Sequence, residues 1–173
     1  MRRPSNSPTA DAKTVEAAAM RLLAGREHSV EELRRKLVRK GYPPDTIEPV
    51  IEKLAGKRLV SDERFTASFV HHHAKRGQGP VRIRAALRQQ GIADSQVEEA
   101  LRRAEVDWVQ LAREVRRRKF GAVSPRSLGE RAKQARFLQY RGFDAEQLRA
   151  AFRDESGEGD DAPDITPDIF EAE

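Results

Sequence analysis

The chain has 173 residues, 38% of them hydrophobic and 35% charged, with 33 Lys and Arg against 28 Asp and Glu and no cysteine. That length suits one or two ordinary domains or a short array of repeats, and so charged a composition leaves little for a single large core. Disulfides and thiolate metal sites are excluded, which is compatible with the cytoplasm, no stretch approaches the roughly 18 apolar residues of a membrane span, and the opening MRRPSNSPTADAK lacks the apolar segment of a secretory signal.

The net charge of +5 hides an asymmetry: residues 154–173 hold nine acids and no base, leaving 19 acids against 33 bases in residues 1–153. A basic body of this kind points to a polyanionic partner, although charge can also serve only to keep a thin helical protein soluble.

In chain order, helices are predicted over 13–24, 30–40 and 45–55, then 62–76, 81–90 and 95–104, then 108–119, 128–141 and 145–154. Ser29 stands before the second helix with Glu32 three residues on, a capping-box pair. Pro49 falls inside the third and predicts a late start or a bend there. Ser61 can cap the fourth, with Asp62 and Glu63 in its first turn and Phe65 and Phe69 sharing a face. Gly77 closes it, Gly79 caps the fifth, and Pro80 suits its first position. Ile83 and Leu87 make the buried stripe of the fifth helix, with Arg82, Arg84 and Arg88 off it. Ser127 and Glu130 repeat the capping-box pair before the eighth. No segment alternates with period two, so no sheet is expected.

Three segments align on a glycine: LVRKGY at 37–42, LRQQGI at 87–92 and LQYRGF at 138–143. Gly41, Gly91 and Gly142 are 50 and 51 residues apart, and each follows a leucine by four positions. Glycine just past a helix end takes a left-handed backbone, and the next residue then folds back onto the helix. The pairs so formed, Leu37 with Tyr42, Leu87 with Ile92 and Leu138 with Phe143, are all apolar. One helix stop is therefore used three times, as a structural device. The fold class expected is all-α: an elongated, curved array of three tandem three-helix repeats, at 13–58, 59–106 and 107–154. A flexible segment at 1–12 and an acidic disordered tail at 155–173 flank it. That tail either solubilises the chain or mimics nucleic acid and weakens binding to the basic body.

The middle repeat, with VSDERFTASFV followed by GPVRIRAALRQQGI, resembles the RecX family of bacterial recombinase regulators. The residues that carry the likeness are Asp62, Phe65, Gly79, Arg82, Ile83, Leu87, Gly91 and Ile92, and SVEELRRKLVRKG at 29–41 is similar to the family's first unit. The resemblance runs from about Val15 to Phe152. It implies a cytoplasmic protein that binds RecA, lodges in the groove of the RecA–single-stranded DNA filament, inhibits strand exchange and RecA's ATPase, and favours filament disassembly. Weak direct binding to single- or double-stranded DNA, a monomeric state, and no cofactor are expected with it.

The candidate RecA- and DNA-binding surface is the set of basic side chains: Arg34, Arg35, Lys36, Arg39 and Lys40 in the first repeat, and Lys75, Arg76, Arg82, Arg84 and Arg88 in the second. The third repeat adds Arg116, Arg117, Arg118, Lys119, Arg131, Lys133, Arg136 and Arg141. Lysine and arginine are the residues that meet phosphates, but they also make ordinary solvated helix faces. His71, His72 and His73 are not read as a metal site, because consecutive helical residues point about 100° apart. Trp108 and Phe120 are read as packing residues, and recognition of single strands by rows of exposed rings is a poor fit. Nothing resembles a phosphate loop, a zinc-protease motif or a catalytic triad, so no catalytic residue is named and an enzyme is not expected. The rival to a RecA modulator is a stand-alone helix-turn-helix DNA-binding protein; a scaffold for acidic proteins would need only the charge.

Overall fold

The computed structural model describes residues 11–153, which fold entirely as helix and connecting turns. The flexible start and the acidic tail read from the sequence lie outside this range, except that Asp11 caps the first helix and Ala12 opens it. The helices, among the described residues, are α1 (Ala12–Leu23), α2 (Val30–Arg39), α3 (Pro44–Gly56), α4 (Asp62–Lys75), α5 (Pro80–Gln89), α6 (Asp94–Arg103), α7 (Trp108–Phe120), α8 (Leu128–Arg141) and α9 (Ala145–Phe152). Pro49 neither delays nor ends α3, which begins at Pro44 and runs on through it. Proline deprives only the residue four before it of a bonding partner, and that residue, Asp45, sits exposed in the first turn where water can serve its carbonyl.

The glycine stops have the double hydrogen-bond pattern that the aligned residues predict. Gly41, Gly91 and Gly142 have φ of 89°, 78° and 90°. The residue after each donates to the leucine four before the glycine, at 3.3 Å from Tyr42 to Leu37, 3.2 Å from Ile92 to Leu87 and 3.1 Å from Phe143 to Leu138. Two further helices end the same way. Gly77 (φ 71°) closes α4, and Arg58 (φ 56°) closes α3, with Leu59 N–H donating to the Leu54 carbonyl at 2.9 Å.

The capping boxes form only by half. Ser29 and Ser127 accept from the N–H of Glu32 and Glu130, but neither glutamate returns the bond. Glu32 turns to the charged donors of Arg26 and Lys36, which bind a carboxylate more strongly than a backbone amide does, and Glu130 accepts from the Arg126 backbone N–H instead. A full box occurs where none was expected, between Asp144 and Gln147 at the start of α9.

The described residues form two compact units. The first comprises residues 11–72 and 84–105, the second residues 73–83 and 106–153. In the first, α1, α2 and α3 close over Val15, Leu33, Leu37, Ile47, Ile51 and Leu54. In the second, α7, α8 and α9 close over Ala112, Val115, Leu138, Phe143 and Leu148. Trp108 is half-buried, and Phe120 packs edge-on against Phe137 with ring centroids 5.3 Å apart.

One junction appears once in each unit. Ser29, which precedes α2, donates its hydroxyl to the carbonyl of Gln90, the residue before Gly91, at 2.7 Å. Gly79, which precedes α5, donates its N–H to the carbonyl of Arg141, the residue before Gly142, at 2.8 Å. Orphan groups at one helix start thus satisfy orphan carbonyls at another helix stop, which fixes the two ends without a long side chain.

Candidate partner and nucleic-acid interface

The basic side chains of the first unit are largely occupied. Arg34 forks onto Glu48 with contacts of 2.6 and 3.0 Å and also pairs with Glu31. Arg84 forks onto Glu98 at 2.5 and 3.0 Å. Arg34 and Arg84 stand seven residues before Gly41 and Gly91, and Glu48 and Glu98 seven after, so the same clamp ties the second helix of a repeat to the third in both cases. The hydrogen bond from Arg34 holds the Glu48 carboxyl below its ordinary range and raises Arg34 in turn; Arg84 lowers Glu98 in the same way. Arg88 pairs with Asp94 at 2.6 Å, Arg35 donates to the Gln90 side chain at 3.0 Å, and Lys36 pairs with Glu32 at 3.1 Å. Burial works against the charge on Glu32, yet the Arg26 and Lys36 donors outweigh it and leave that carboxyl low. Arg39 and Lys40 are exposed and make no ion pair with a described residue.

Next to this network His28 is 2% exposed. Its Nδ1 lies 2.9 Å from the Arg26 carbonyl and its Nε2 2.9 Å from the Lys36 ammonium, so the neutral ring with the proton on Nδ1 satisfies both. Burial pushes this imidazole below its usual range. The other histidines diverge as helical spacing requires: His71 and His72 are exposed, while half-buried His73 continues the side of Phe65 and Phe69 and pairs with Gln78 at 2.6 Å. An open groove of about 740 Å³ lies between α4 and α6, where Arg103 reaches both Glu63 and Glu99.

The second unit is different in charge. Its described residues carry 15 Lys and Arg against 5 Asp and Glu, whereas those of the first unit carry 16 against 14. The guanidinium–carboxylate pairs given above all belong to the first unit. In the second, arginines meet rings and carbonyls: Arg82 lies 5.2 Å from the Tyr140 ring centroid, Arg141 5.3 Å from that of Phe137, and Arg141 also donates to the Arg76 carbonyl at 3.2 Å. Lys75, Arg76, Arg117, Arg118, Lys119, Lys133 and Arg136 are exposed.

One residue of the expected surface does not belong to it. Arg116 is 5% exposed, facing Gln134 and lying over the Phe152 ring, which Arg131 approaches at 5.5 Å as well. In the run Arg116–Arg117–Arg118–Lys119 helical rotation must turn one side chain inward, and Arg116 follows Ala112 by four on the buried face. The acid partners of Arg34 and Arg84 were the complementary omission. Their sequence signal was present, a glutamate at the same distance after each glycine, but reading the arginines alone concealed it. The third repeat lacks both halves, with Ala135 and Arg149 in the corresponding places.

Comparison with known proteins identifies the architecture. The first, second and third three-helix domains of RecX match residues 17–54, 61–101 and 105–152. A regulatory protein RecX from Halorhodospira halophila is 51% identical over 142 residues, covering 82% of this chain and 88% of that protein. Another from Pseudomonas fluorescens is 44% identical over 134 residues, covering 78% and 86%. The crystal structure of RecX from Lactobacillus salivarius shares the fold with a TM-score of 0.69 at 23% identity, over 81% of this chain and 93% of that one. A second RecX crystal structure gives 0.68 at 24% identity, over 80% and 70%. With all three domains matched in order and half the residues shared with a relative over most of its length, the chain belongs to the RecX family of regulatory proteins.

Proposed function

We propose that this protein is a mainly negative modulator of RecA that acts without catalysis of its own. It binds in the groove of the RecA–single-stranded DNA filament, inhibits strand exchange and ATP hydrolysis, and promotes disassembly, in the cytoplasm and as a monomer of three repeats at 13–58, 59–106 and 107–154. Family membership supports the regulatory role, and the observation that carries the binding mode is the uneven use of basic residues. In the first unit arginines are spent on carboxylates that hold helices together. In the second, Arg118, Lys119, Lys133 and Arg136 are exposed with no ion pair to a described residue, which leaves their charge available to a polyanion. Of the expected surface bases in the first unit, Arg39 and Lys40 make no ion pair with a described residue, and Arg35 is held by an uncharged amide.

The test is RecA's DNA-dependent ATPase at substoichiometric amounts of this protein, with charge-reversed variants alongside. Inhibition is expected from the natural chain, with a loss on reversing Lys133 and Arg136 together. Direct binding to single-stranded DNA should fall steeply with salt, by about 0.7 of a power of salt for each phosphate neutralised. An unaltered ATPase together with tight, sequence-specific duplex binding would favour the helix-turn-helix reading instead.

A further inference from the structure

Tyr140 is 75% exposed at the end of α8, in a chain whose other described rings are mostly packed. The backbone that carries the ring is bonded in place, and a guanidinium stands beside the ring. Arg82 donates from Nη1 to the Tyr140 carbonyl at 3.1 Å, and its guanidinium carbon lies 5.2 Å from the ring centroid. Arg82 is itself fixed by its backbone: a Cβ placed on Gly142 would stand 2.3 Å from the Arg82 Cβ and 2.6 Å from its N. The N–H groups of Gly79 and Val81 bond the carbonyls of Arg141 and Gly142 at 2.8 and 3.0 Å, locking the start of α5 to the end of α8. A flat ring is thus presented on a rigid junction, with a guanidinium beside it and most of its surface in water. Lys133 and Arg136 precede it by seven and four residues, share its side of the helix and are exposed. These three positions span about 10 Å of helix.

We propose that Tyr140 is a stacking site for one unpaired base of single-stranded nucleic acid, with Arg82 as a positioning residue and Lys133 and Arg136 meeting the adjoining phosphates. A ring stacks on any base, so the site would be tolerant of sequence. It would prefer single strands, because bases of a duplex are already stacked on one another. The arginine beside the ring adds a cation that suits both the π-face and the backbone charge. The inference rests on the second unit being the nucleic-acid face, and the two ideas separate experimentally.

The full chain and its Tyr140→Phe, Tyr140→Leu and Lys133→Glu/Arg136→Glu variants are titrated against labelled oligo-dT and against an oligomer of the same length with abasic sugars. Far-UV circular dichroism and Trp108 fluorescence verify folding. Tyr140→Leu is expected to weaken binding to oligo-dT by about fivefold or more, and Tyr140→Phe by less than about twofold. On the abasic strand Tyr140→Leu should match the natural chain, and its salt dependence should be unchanged because no charge is lost. Natural affinity of Tyr140→Leu for oligo-dT would overturn the proposal, as would an equal loss on both strands. So would normal DNA binding joined to a lost effect on RecA, which would mark a protein contact. The charge-reversed variant is expected to weaken both strands. If it weakens neither, the second unit is not the nucleic-acid face, and that failure is distinct from failure of the stacking site.

Discussion

Three glycines that end helices with nearly the same backbone should respond differently to alanine. At Gly41, Gly91 and Gly142 the left-handed φ costs an L-residue roughly 1–2 kcal/mol, and the three angles differ by little. Their surroundings differ a great deal. A Cβ on Gly41 meets nothing within 4 Å, so Gly41→Ala should cost only that conformational amount. On Gly91 it stands 2.6 and 2.7 Å from Cβ and Cγ of Glu31, a side chain that can shift in part. On Gly142 it meets Arg82 Cβ at 2.3 Å and the Arg82 backbone N at 2.6 Å, and the backbone cannot give without breaking the junction between α5 and α8. Overpacking of this kind adds roughly 1–3 kcal/mol, giving about 2–5 kcal/mol in all for Gly142→Ala.

Gly79→Ala isolates the steric part, since a Cβ there would lie 2.3 Å from the Gly142 carbonyl oxygen at a residue with no positive φ. The assay is urea unfolding followed both by far-UV circular dichroism and by the fluorescence of Trp108, which belongs to the second unit and is the chain's single tryptophan. Gly142→Ala and Gly79→Ala should move the fluorescence transition strongly, and Gly41→Ala, in the first unit, should move the circular-dichroism transition by only its roughly 1–2 kcal/mol. Equal losses at Gly41 and Gly142 would refute the reasoning, for they would mean that backbone conformation alone sets the cost and the close junction contributes nothing.

Arg58 performs a glycine's task at φ 56° with an exposed side chain, so Arg58→Gly should raise stability by about 0.5–1 kcal/mol, strain relief less the added freedom of the unfolded chain, as a higher urea midpoint would register. The buried, depressed imidazole of His28 contributes stability that is complete above the unfolded value of about 6.5 and is lost as pH falls through and below it, because the unfolded chain takes up the proton first; His28→Gln should flatten the difference in stability between pH 7.5 and 5.5, and an unchanged slope would dismiss the assignment. The Arg34–Glu48 fork, with side chains 34% and 43% exposed, should show a coupling below about 1 kcal/mol in a double-mutant cycle, and Arg34→Ala should leave single-stranded DNA affinity within about twofold. Arg116→Met keeps the volume of a buried side chain and discards its charge, so it should change stability by less than about 2 kcal/mol in either direction and DNA affinity hardly at all.

The helices and their stops were legible because they depend on local rules. Glycine with apolar residues on either side at fixed distance specifies the turn wherever it stands, and Leu37, Leu87 and Leu138 are all fully buried. Local rules also misled in a local way: Ser29 and Glu32 have the spacing of a reciprocal cap, but the glutamate's choice among donors depends on Arg26 and Lys36, which spacing of two residues cannot weigh. The basic surface was least legible. Charge is visible in a sequence, but whether an arginine faces water, a glutamate or a ring depends on rotation about the helix and on the neighbouring helix. Arg34, Arg116 and Arg136 look alike in the chain and occupy three different environments.

Copies of one module need not keep one task. The first two repeats retain an arginine seven before the glycine and a glutamate seven after, and in both the pair joins the second helix to the third. In the third repeat the same places hold Ala135 and Arg149, so the clamp is absent and a base stands where the other repeats have its acid. Helix attachment there passes to other groups, with Arg113 donating to the Ala150 carbonyl at 3.1 Å and Arg116 and Arg131 set around Phe152. A carbonyl or a ring can hold a guanidinium without cancelling its charge, as a carboxylate would. Such contacts fasten the helices without adding an acid to a unit whose described residues carry 15 Lys and Arg against 5 Asp and Glu. Charge of this kind is what a polyanion can recognise, and it costs the fold little because the arginine stems still cover apolar surface.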